Sequence, residues 1–437
     1  MAEIHPFRGV RYNERLVQDI ASAICPPYDI ITPEIEQELR HRSEYSFINL
    51  EHGQQLPSDT DENNKYTRSA ATLKQWLDQG VLKTDGLPTI YLHQHCFSHN
   101  GVRYIRRGII TAVRLEEWDR MVIRPHENTR GKPKDDRLNL LWALEANTSP
   151  IFAMFEDQRQ QIASLLAEKE QDQPIINLIS SEGEHRIWTI TSPEVISQIS
   201  ASLSDRPLYI ADGHHRYESA LNYKKERLTC SPSASGNEGF NFVMMELVDL
   251  ADPGLIILPP HRLVRGISKV TLSELKGRLA TLFQIEELPI GTSDVSQQVD
   301  DLLAGDRTDQ LRIVLFGLSP GSLLLLKLGD FATASQMIPY FHSEIYKSLD
   351  VSIVDHVILE EMLNLTSKRE EASLAFNHDK MDAVNGVLNR EYQLVFFLGP
   401  VKTEVIKAIA DAGDRMPRKS TYFYPKPPSG LVFRRLG

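Results

Sequence analysis

The chain predicts an α/β fold with a mixed sheet and α+β character, on three observations. Apolar runs of strand length recur along it, helical periodicities lie between them, and residues 208–221 pass from an apolar run through Asp212-Gly213 into a helix face formed by Tyr217, Ala220 and Leu221. At 437 residues the chain is too long for one ordinary core. Two domains are expected, 1–255 and 256–437, since the texture changes past Pro260 and a boundary read from pattern is good only to about several residues.

Phe47-Ile48-Asn49-Leu50 reads as a strand ending at Glu51. The spacing of Tyr66, Leu73, Trp76 and Leu77 predicts a helix over 64–80 with Gly80 as its cap. Strands follow at 89–97 and 103–115, and Ser98-His99-Asn100-Gly101 joins them as a hairpin, because Asn-Gly accepts the positive φ of a tight turn. His93 and His95 share one strand face, a spacing that could place two imidazoles on a metal, but no acidic third ligand follows nearby and polar side chains on a solvated face are the commoner reading. A short helix is expected over 138–146 with Asp135 and Asp136 at its first turn. Residues 158–173 read as a charged helix and 231–239 as a low-complexity loop. Strands at 240–247 and 255–258 flank the turn Asp252-Pro253-Gly254. The second half carries helices near 272–283 and 354–365 and strands at 311–316, 323–328 and 394–398.

Composition narrows the function. A net charge of -11 argues against nucleic acid and anionic membrane surfaces, while a local basic pocket can still collect phosphates. The three cysteines, Cys25, Cys96 and Cys230, show no CxxC spacing, so neither a disulfide framework nor a cysteine-based zinc site is supported. With no signal-like start and no run approaching the roughly 20 apolar residues of a spanning helix, a soluble, cytoplasmic protein is expected.

The turn at Asp212-Gly213-His214-His215-Arg216 has the chemistry of an anion site. A helix N-terminus offers unpaired amides and a positive dipole end, to which His214, His215 and Arg216 add donors. The alternative is that Asp212 is only an N-cap and Arg216 pairs with an acidic neighbour. Between Arg124 and Lys134 four cations surround Glu127 in a Pro- and Gly-containing loop, which either closes over phosphates or is a solvated basic turn. The tail Lys419-Ser420-Thr421-Tyr422-Phe423-Tyr424-Pro425-Lys426 carries three aromatics, which argue that it docks. Asp29, Glu51, Glu127 and Asp212 are the carboxylates placed at turns or strand ends, where functional groups gather.

Several segments resemble one family. Cys25-Pro26-Pro27-Tyr28-Asp29, Arg124-Pro125-His126-Glu127-Asn128-Thr129, Lys134-Asp135-Asp136-Arg137-Leu138, Asn147-Thr148-Ser149-Pro150, the Asp212 turn, Leu258-Pro259-Pro260-His261-Arg262 and the 416–426 tail are similar to signatures of the bacterial and archaeal domain-of-unknown-function family numbered 1015. The Asp-Gly-His-His-Arg turn also resembles the phosphate loop of the ParB/sulfiredoxin-like fold, shared by sulfiredoxins and free serine kinases. The turn lacks the thiol a sulfiredoxin needs, so the kinase-like reading survives.

Those resemblances imply a ParB/sulfiredoxin-like N-terminal part followed by a second α/β domain whose tail returns to the site. They imply catalytic roles among Asp212, His214, His126, Glu127, Glu51 and Asp29, and phosphate binding by Gly213, His215, Arg216, Arg124, Lys134, Lys419, Ser420, Thr421 and Lys426. The implied reaction moves a phosphoryl group from ATP, ADP or pyrophosphate, with Mg2+, to a small hydroxyl compound such as free serine. The alternative is a noncatalytic phospho-ligand sensor. A ParB-like DNA-binding role conflicts with the acidic balance. The oligomeric state is left open, a homodimer being one option.

Overall fold

Strands apolar on both faces organise the first unit, which comprises Met1–Pro125, Thr129–Ile256 and Phe423–Gly437. The computed structural model describes residues 2–129, 131–230, 235–291, 295–305, 310–365 and 372–437; Arg130 of the expected basic loop and 231–234 of the low-complexity loop lie outside the described residues. The main sheet of this unit has nine strands. From edge to edge they are Ile123–Arg124, Leu208–Asp212, Ile151–Phe155, Phe242–Asp249, Val102–Arg114, Ile90–His99, Gly183–Ile190 and Ile176–Ser180, with Ile4–His5 also pairing with Val102–Arg114. Leu208–Asp212 runs parallel to Ile123–Arg124, and Phe242–Asp249 runs parallel to Ile151–Phe155. The remaining neighbours are antiparallel, which makes the sheet mixed, as expected.

Alternation along the strands divides the core in two. Leu92, Ile109 and Met245 join Ile162, Leu166, Leu203 and Leu221 of the helices Gln161–Lys169, Pro193–Leu203 and His214–Cys230. Their neighbours Tyr91, Ile110 and Met244 join Phe47, Trp76, Val432 and Phe433 instead. A sheet covered on both faces has no solvated side, so its strands read as near-continuous apolar runs. A smaller antiparallel sheet links Leu82–Thr84, Gly9–Tyr12, Phe433–Arg435 and Ala146–Asn147, building the end of the chain into the first unit.

The second unit comprises His126–Asn128 and Ile257–Tyr422. Its sheet is antiparallel throughout, in the order Phe283–Pro289, Ser322–Leu328, Arg312–Phe316, Leu394–Phe397, His261–Val264 and Leu374–Asn377. Leu263, Val314, Leu325 and Val395 centre its core, and the buried Arg262 is held by both oxygens of Asp355 at 3.0 and 3.2 Å. Among the described residues, no helix is long and apolar enough to cross a membrane.

Local signals held where they were chemical. The helix expected over 64–80 is Lys65–Asp78, opened by an Asn64 capping box and followed by Gly80 at φ +73°, and Asn100-Gly101 turns the expected hairpin with positive φ at both residues. Apolar runs without such punctuation misled. Residues 47–50 form no strand, because Ile48–Glu51 is a helical turn closed by His52 N–H on the Ile48 carbonyl at 2.8 Å; a short buried run does not distinguish the two. The helix expected over 138–146 is Gly131–Leu144, which takes Asp135 and Asp136 out of its first turn. The helix near 272–283 is Lys269–Leu279, and Phe283 instead opens a strand. The charged helix is the shorter Gln161–Lys169, and the one near 354–365 is a π-helix, Ile353–Met362, apolar around most of its circumference.

Phe433 is fully buried with its ring 5.5 Å from Phe47. Phe433→Ala is expected to cost about 3–5 kcal/mol of stability through the cavity it leaves, read as the shift of the urea midpoint. A loss below about 1 kcal/mol would show that the closing segment is no part of the first-unit core.

Candidate functional site

The strand Leu208–Asp212 delivers Asp212 to the turn, and Gly213 takes it into the helix His214–Cys230. Gly213 has φ +93°, and a Cβ on it would stand 2.9 Å from Nε and Nη2 of Arg216. Only glycine leaves room for that guanidinium at the turn. The first intrahelical bond runs from Tyr217 N–H to the Gly213 carbonyl at 3.0 Å, so the amides of His214, His215 and Arg216 precede it at the positive helix end.

Charged side chains extend from this turn in both directions. Arg216 donates through Nη2 to Asp212 Oδ2 at 2.6 Å and through Nη1 to Ser149 Oγ at 3.0 Å and the Pro150 carbonyl at 2.5 Å. Ser149 donates to Glu51 Oε1 at 3.1 Å, and Arg137 donates to the Glu51 carbonyl at 2.9 Å. Arg137 also bonds Asp136 at 2.6 Å and lies 4.2 Å over the Tyr28 ring. Asp136 accepts from Lys65 and, at 2.9 Å, from the Tyr66 hydroxyl. In the other direction Lys426 meets Asp212 Oδ1 at 2.6 Å and bonds Asp29.

Four carboxylates, Asp29, Asp212, Glu51 and Asp136, thus alternate with four cations, Lys426, Arg216, Arg137 and Lys65. Burial resists ionisation of Asp212, yet Lys426 and Arg216 hold its carboxyl well below the usual range. Burial likewise opposes the Lys426 charge, and Asp212 and Asp29 drive its ammonium above its ordinary value. Tyr28 is pushed up to about 12, chiefly by burial and then by Asp29. Two polar atoms of this chain, Arg216 Nε and Glu51 Oε2, are buried without a hydrogen-bond partner. A cavity of about 40 Å3 touches Arg137, Ser149 and Arg216, room for about one water and far too little for a nucleotide.

The Nη1 and Nη2 donors of Arg216, expected to meet a phosphate, are therefore engaged by the protein itself. Asp212 lies four residues before it, within reach of the guanidinium, so the acidic-neighbour reading describes this contact. His214 is buried and His215 half-buried at the same turn. Arg124 donates to the Met121 carbonyl at 2.9 Å and lies over Tyr209, while Lys134 pairs with Glu218 at 2.8 Å.

The other candidates belong to the second unit. Glu127 Oε1 accepts the backbone N–H of Ser420 at 3.0 Å, and His126 Nε2 lies 2.9 Å from the Thr421 hydroxyl. Ser420 donates its hydroxyl to the Pro417 carbonyl at 2.5 Å, and Lys419, at φ +55°, has its carbonyl bound by Arg262 at 2.9 Å. Glu127 here caps backbone, the Ser420 hydroxyl holds the segment's own turn, and the Thr421 hydroxyl meets His126 and Glu127.

His93 and His95 stack with ring centroids 6.0 Å apart and are joined by His185, 4.0 Å from His95. Among the described residues, no group of three or more His, Cys, Asp or Glu side chains is placed to hold a metal. Sequence reading passed over Arg137, Asp136 and Ser149 as site residues, although they stand inside the segments quoted above, and over Lys65, His185 and Glu246, for which no local signal exists.

A family model described as a protein of unknown function, DUF1015, matches residues 4–352. No curated protein sequence matches the chain. Among solved structures, a conserved hypothetical protein from Pyrococcus furiosus is 12% identical with a TM-score of 0.36, over 74% of this chain and 94% of that one. A free serine kinase in complex with AMP is 13% identical with a TM-score of 0.36, over 74% and 91%. SbnI from Staphylococcus aureus, truncated at its C-terminus, is 10% identical with a TM-score of 0.34, over 73% and 84%.

Asp212→Asn removes the anion between two buried cations and is expected to cost about 3–5 kcal/mol at pH 7. Because the folded-state pKa of Asp212 is depressed, its contribution is complete above the unfolded value and is lost as pH falls below about 4. Urea unfolding across that acid range should show a shallower loss of stability in the variant than in the native protein. Equal slopes would mean that Asp212 does not carry the linkage.

Proposed function

This chain belongs to the DUF1015 family of proteins of unknown function, and we propose that it is a phosphotransferase, carrying a phosphoryl group from ATP, ADP or pyrophosphate to a small hydroxyl compound, free serine being the acceptor its turn motif suggests. The observation that supports this reading is the run Asp29–Lys426–Asp212 ending at the start of the His214–Cys230 helix. A phosphate there meets the positive end of the helix dipole, which needs no net side-chain charge to favour it. Lys426 is a point charge able to exchange a carboxylate contact for a phosphate oxygen. Asp29, whose side chain is 24% exposed against 5% for Lys426, is the carboxylate open to a substrate hydroxyl and takes its proton. Arg216 and the buried Glu51 act through others: Arg216 holds Asp212 and Glu51 holds Ser149.

Mg2+ bound with the donor neutralises charge developing on the phosphate oxygens. Asp29 and Asp212 fit such an ion only as one or two carboxylates alongside phosphates, in keeping with the lack of a three-ligand cluster among the described residues. The balance of four cations by four carboxylates supports a second reading, a binding protein without turnover.

One experiment separates the two. Purified protein with each donor, Mg2+ and a panel of amino acids is followed by phosphorus NMR, with thermal shift in parallel. Phosphoserine formation is expected, and Asp29→Asn should lower its rate by about 10²–10⁴-fold while keeping the donor-induced shift. A shift without product from any acceptor supports the binding reading, and neither shift nor product removes the phosphate site.

A further inference from the structure

A second buried polar chain crosses the first unit's sheet, using none of the residues just described. Glu246, His93, His185 and Ser180 stand on the strands Phe242–Asp249, Ile90–His99, Gly183–Ile190 and Ile176–Ser180. Val102–Arg114 lies between the first two strands, and Gly108, the register partner of His93 and Val248, leaves a gap there. A Cβ on Gly108 would stand 2.9 Å from Glu246 Oε1. Glu246 therefore reaches across that strand to His93.

The contacts form one line. Glu246 Oε1 lies 2.8 Å from His93 Nδ1, His93 Nε2 lies 3.1 Å from His185 Nδ1, and His185 Nε2 lies 3.2 Å from Ser180 Oγ. With Glu246 ionised and both imidazoles neutral, each Nδ1–H donates toward the carboxylate side, and the Ser180 hydroxyl faces two acceptors, His185 Nε2 at 3.2 Å and the Gly183 carbonyl at 3.3 Å. Glu246, His93 and His185 are buried, whereas Ser180 is part-exposed and lines a cavity of about 230 Å3. Ile24, Cys25, Ile30, Leu39 and Pro428 give that cavity apolar walls, and the charged Glu38, Arg42 and Glu182 also line it. The hairpin fixes the serine: Ser180 pairs with Gly183, whose φ of +127° and approach to the Cys96 carbonyl exclude a side chain, and Glu182 N–H holds Ser180 Oγ at 3.2 Å.

We infer that Ser180 is a nucleophile with His185 as its base, and that the cavity takes a small carboxylic ester with an apolar body. Ser180 Oγ bonds to the ester carbonyl carbon as its proton passes to His185 Nε2. Collapse breaks the bond to the alcohol oxygen, and the alcohol leaves with that proton. Water, deprotonated by the same nitrogen, then releases the acid and restores the hydroxyl. His93 and Glu246 are positioning residues that set the His185 tautomer, leaving Nε2 unprotonated toward Ser180. Burial, together with His93 and Arg106, holds the His185 pKa well below its ordinary value, so the base is neutral at pH 7.

The test treats the full chain with diisopropyl fluorophosphate and maps the adduct by peptide mass spectrometry, with p-nitrophenyl acetate hydrolysis in parallel. The adduct is expected on Ser180, and Ser180→Ala should lower hydrolysis by about 10³-fold or more at an unchanged melting temperature. Glu246→Gln should lower kcat by about 100-fold or more at constant KM, a split that loss of structure alone does not produce. A folded native protein with no adduct on Ser180 overturns the assignment without relying on any variant, as does hydrolysis unchanged in Ser180→Ala.

Discussion

Lys426 is the constraint on which the first unit's polar architecture depends. It is a nearly buried cation shared by Asp29 and Asp212, and 397 positions separate it from the first of these. Removing an ammonium from water costs several kcal/mol after relaxation, which only well-placed counter-charges offset. Two carboxylates supply them, and Lys426 in turn fixes both, one at the turn Tyr28–Ile30 and the other at the end of Leu208–Asp212. The packing of Phe433 and Val432 holds this closing segment in place, so the ion contacts inherit their geometry from apolar burial. The core comes first, and the site rests on it.

The alternation of charge shapes what the turn can bind. Had Arg216 and Lys426 stood without carboxylates, a phosphate would be gripped by side-chain charge and released slowly. With each cation already paired, the attraction left for an anion is chiefly that of the helix end, which is modest and decays within about one turn. A ligand at this turn would then bind by exchanging contacts rather than adding charge.

The features legible in the sequence were those whose cause lies within a few residues. The Asn64 cap, the Asn100-Gly101 turn and the glycine at 213 each answer to a local backbone requirement. Residues 47–50 failed because an apolar run of four is compatible with a buried strand or a buried helical turn, and packing around Phe47 decides. Asp136 was read against a helix dipole because Lys65 and Tyr66, its actual partners, are about 70 positions away and leave no trace beside it. His93 and His95 were seen, whereas His185 and Glu246 were not, since cross-strand register is a property of the whole sheet. The reading thus quoted Asp29, Glu51, Asp212, Arg216 and Lys426 as site residues, and as such it missed Arg137, Asp136, Ser149 and Lys65, which join them.

A sheet buried on both faces tolerates polar side chains only as connected networks, because an unpaired buried polar atom costs about 1–3 kcal/mol. The two polar chains of this unit nearly meet that demand. Their exceptions are Arg216 Nε and Glu51 Oε2 in one, and Glu246 Oε2 with the neighbouring Arg106 Nε in the other. Filling each position with an apolar residue of similar shape would remove the penalty without disturbing the fold. That such atoms sit beside the helix end in one case and along the line to Ser180 in the other is costly if both chains serve stability alone. It is the expected arrangement if each chain holds reactive groups ready for a ligand, since preorganisation leaves donors and acceptors poised before anything has bound.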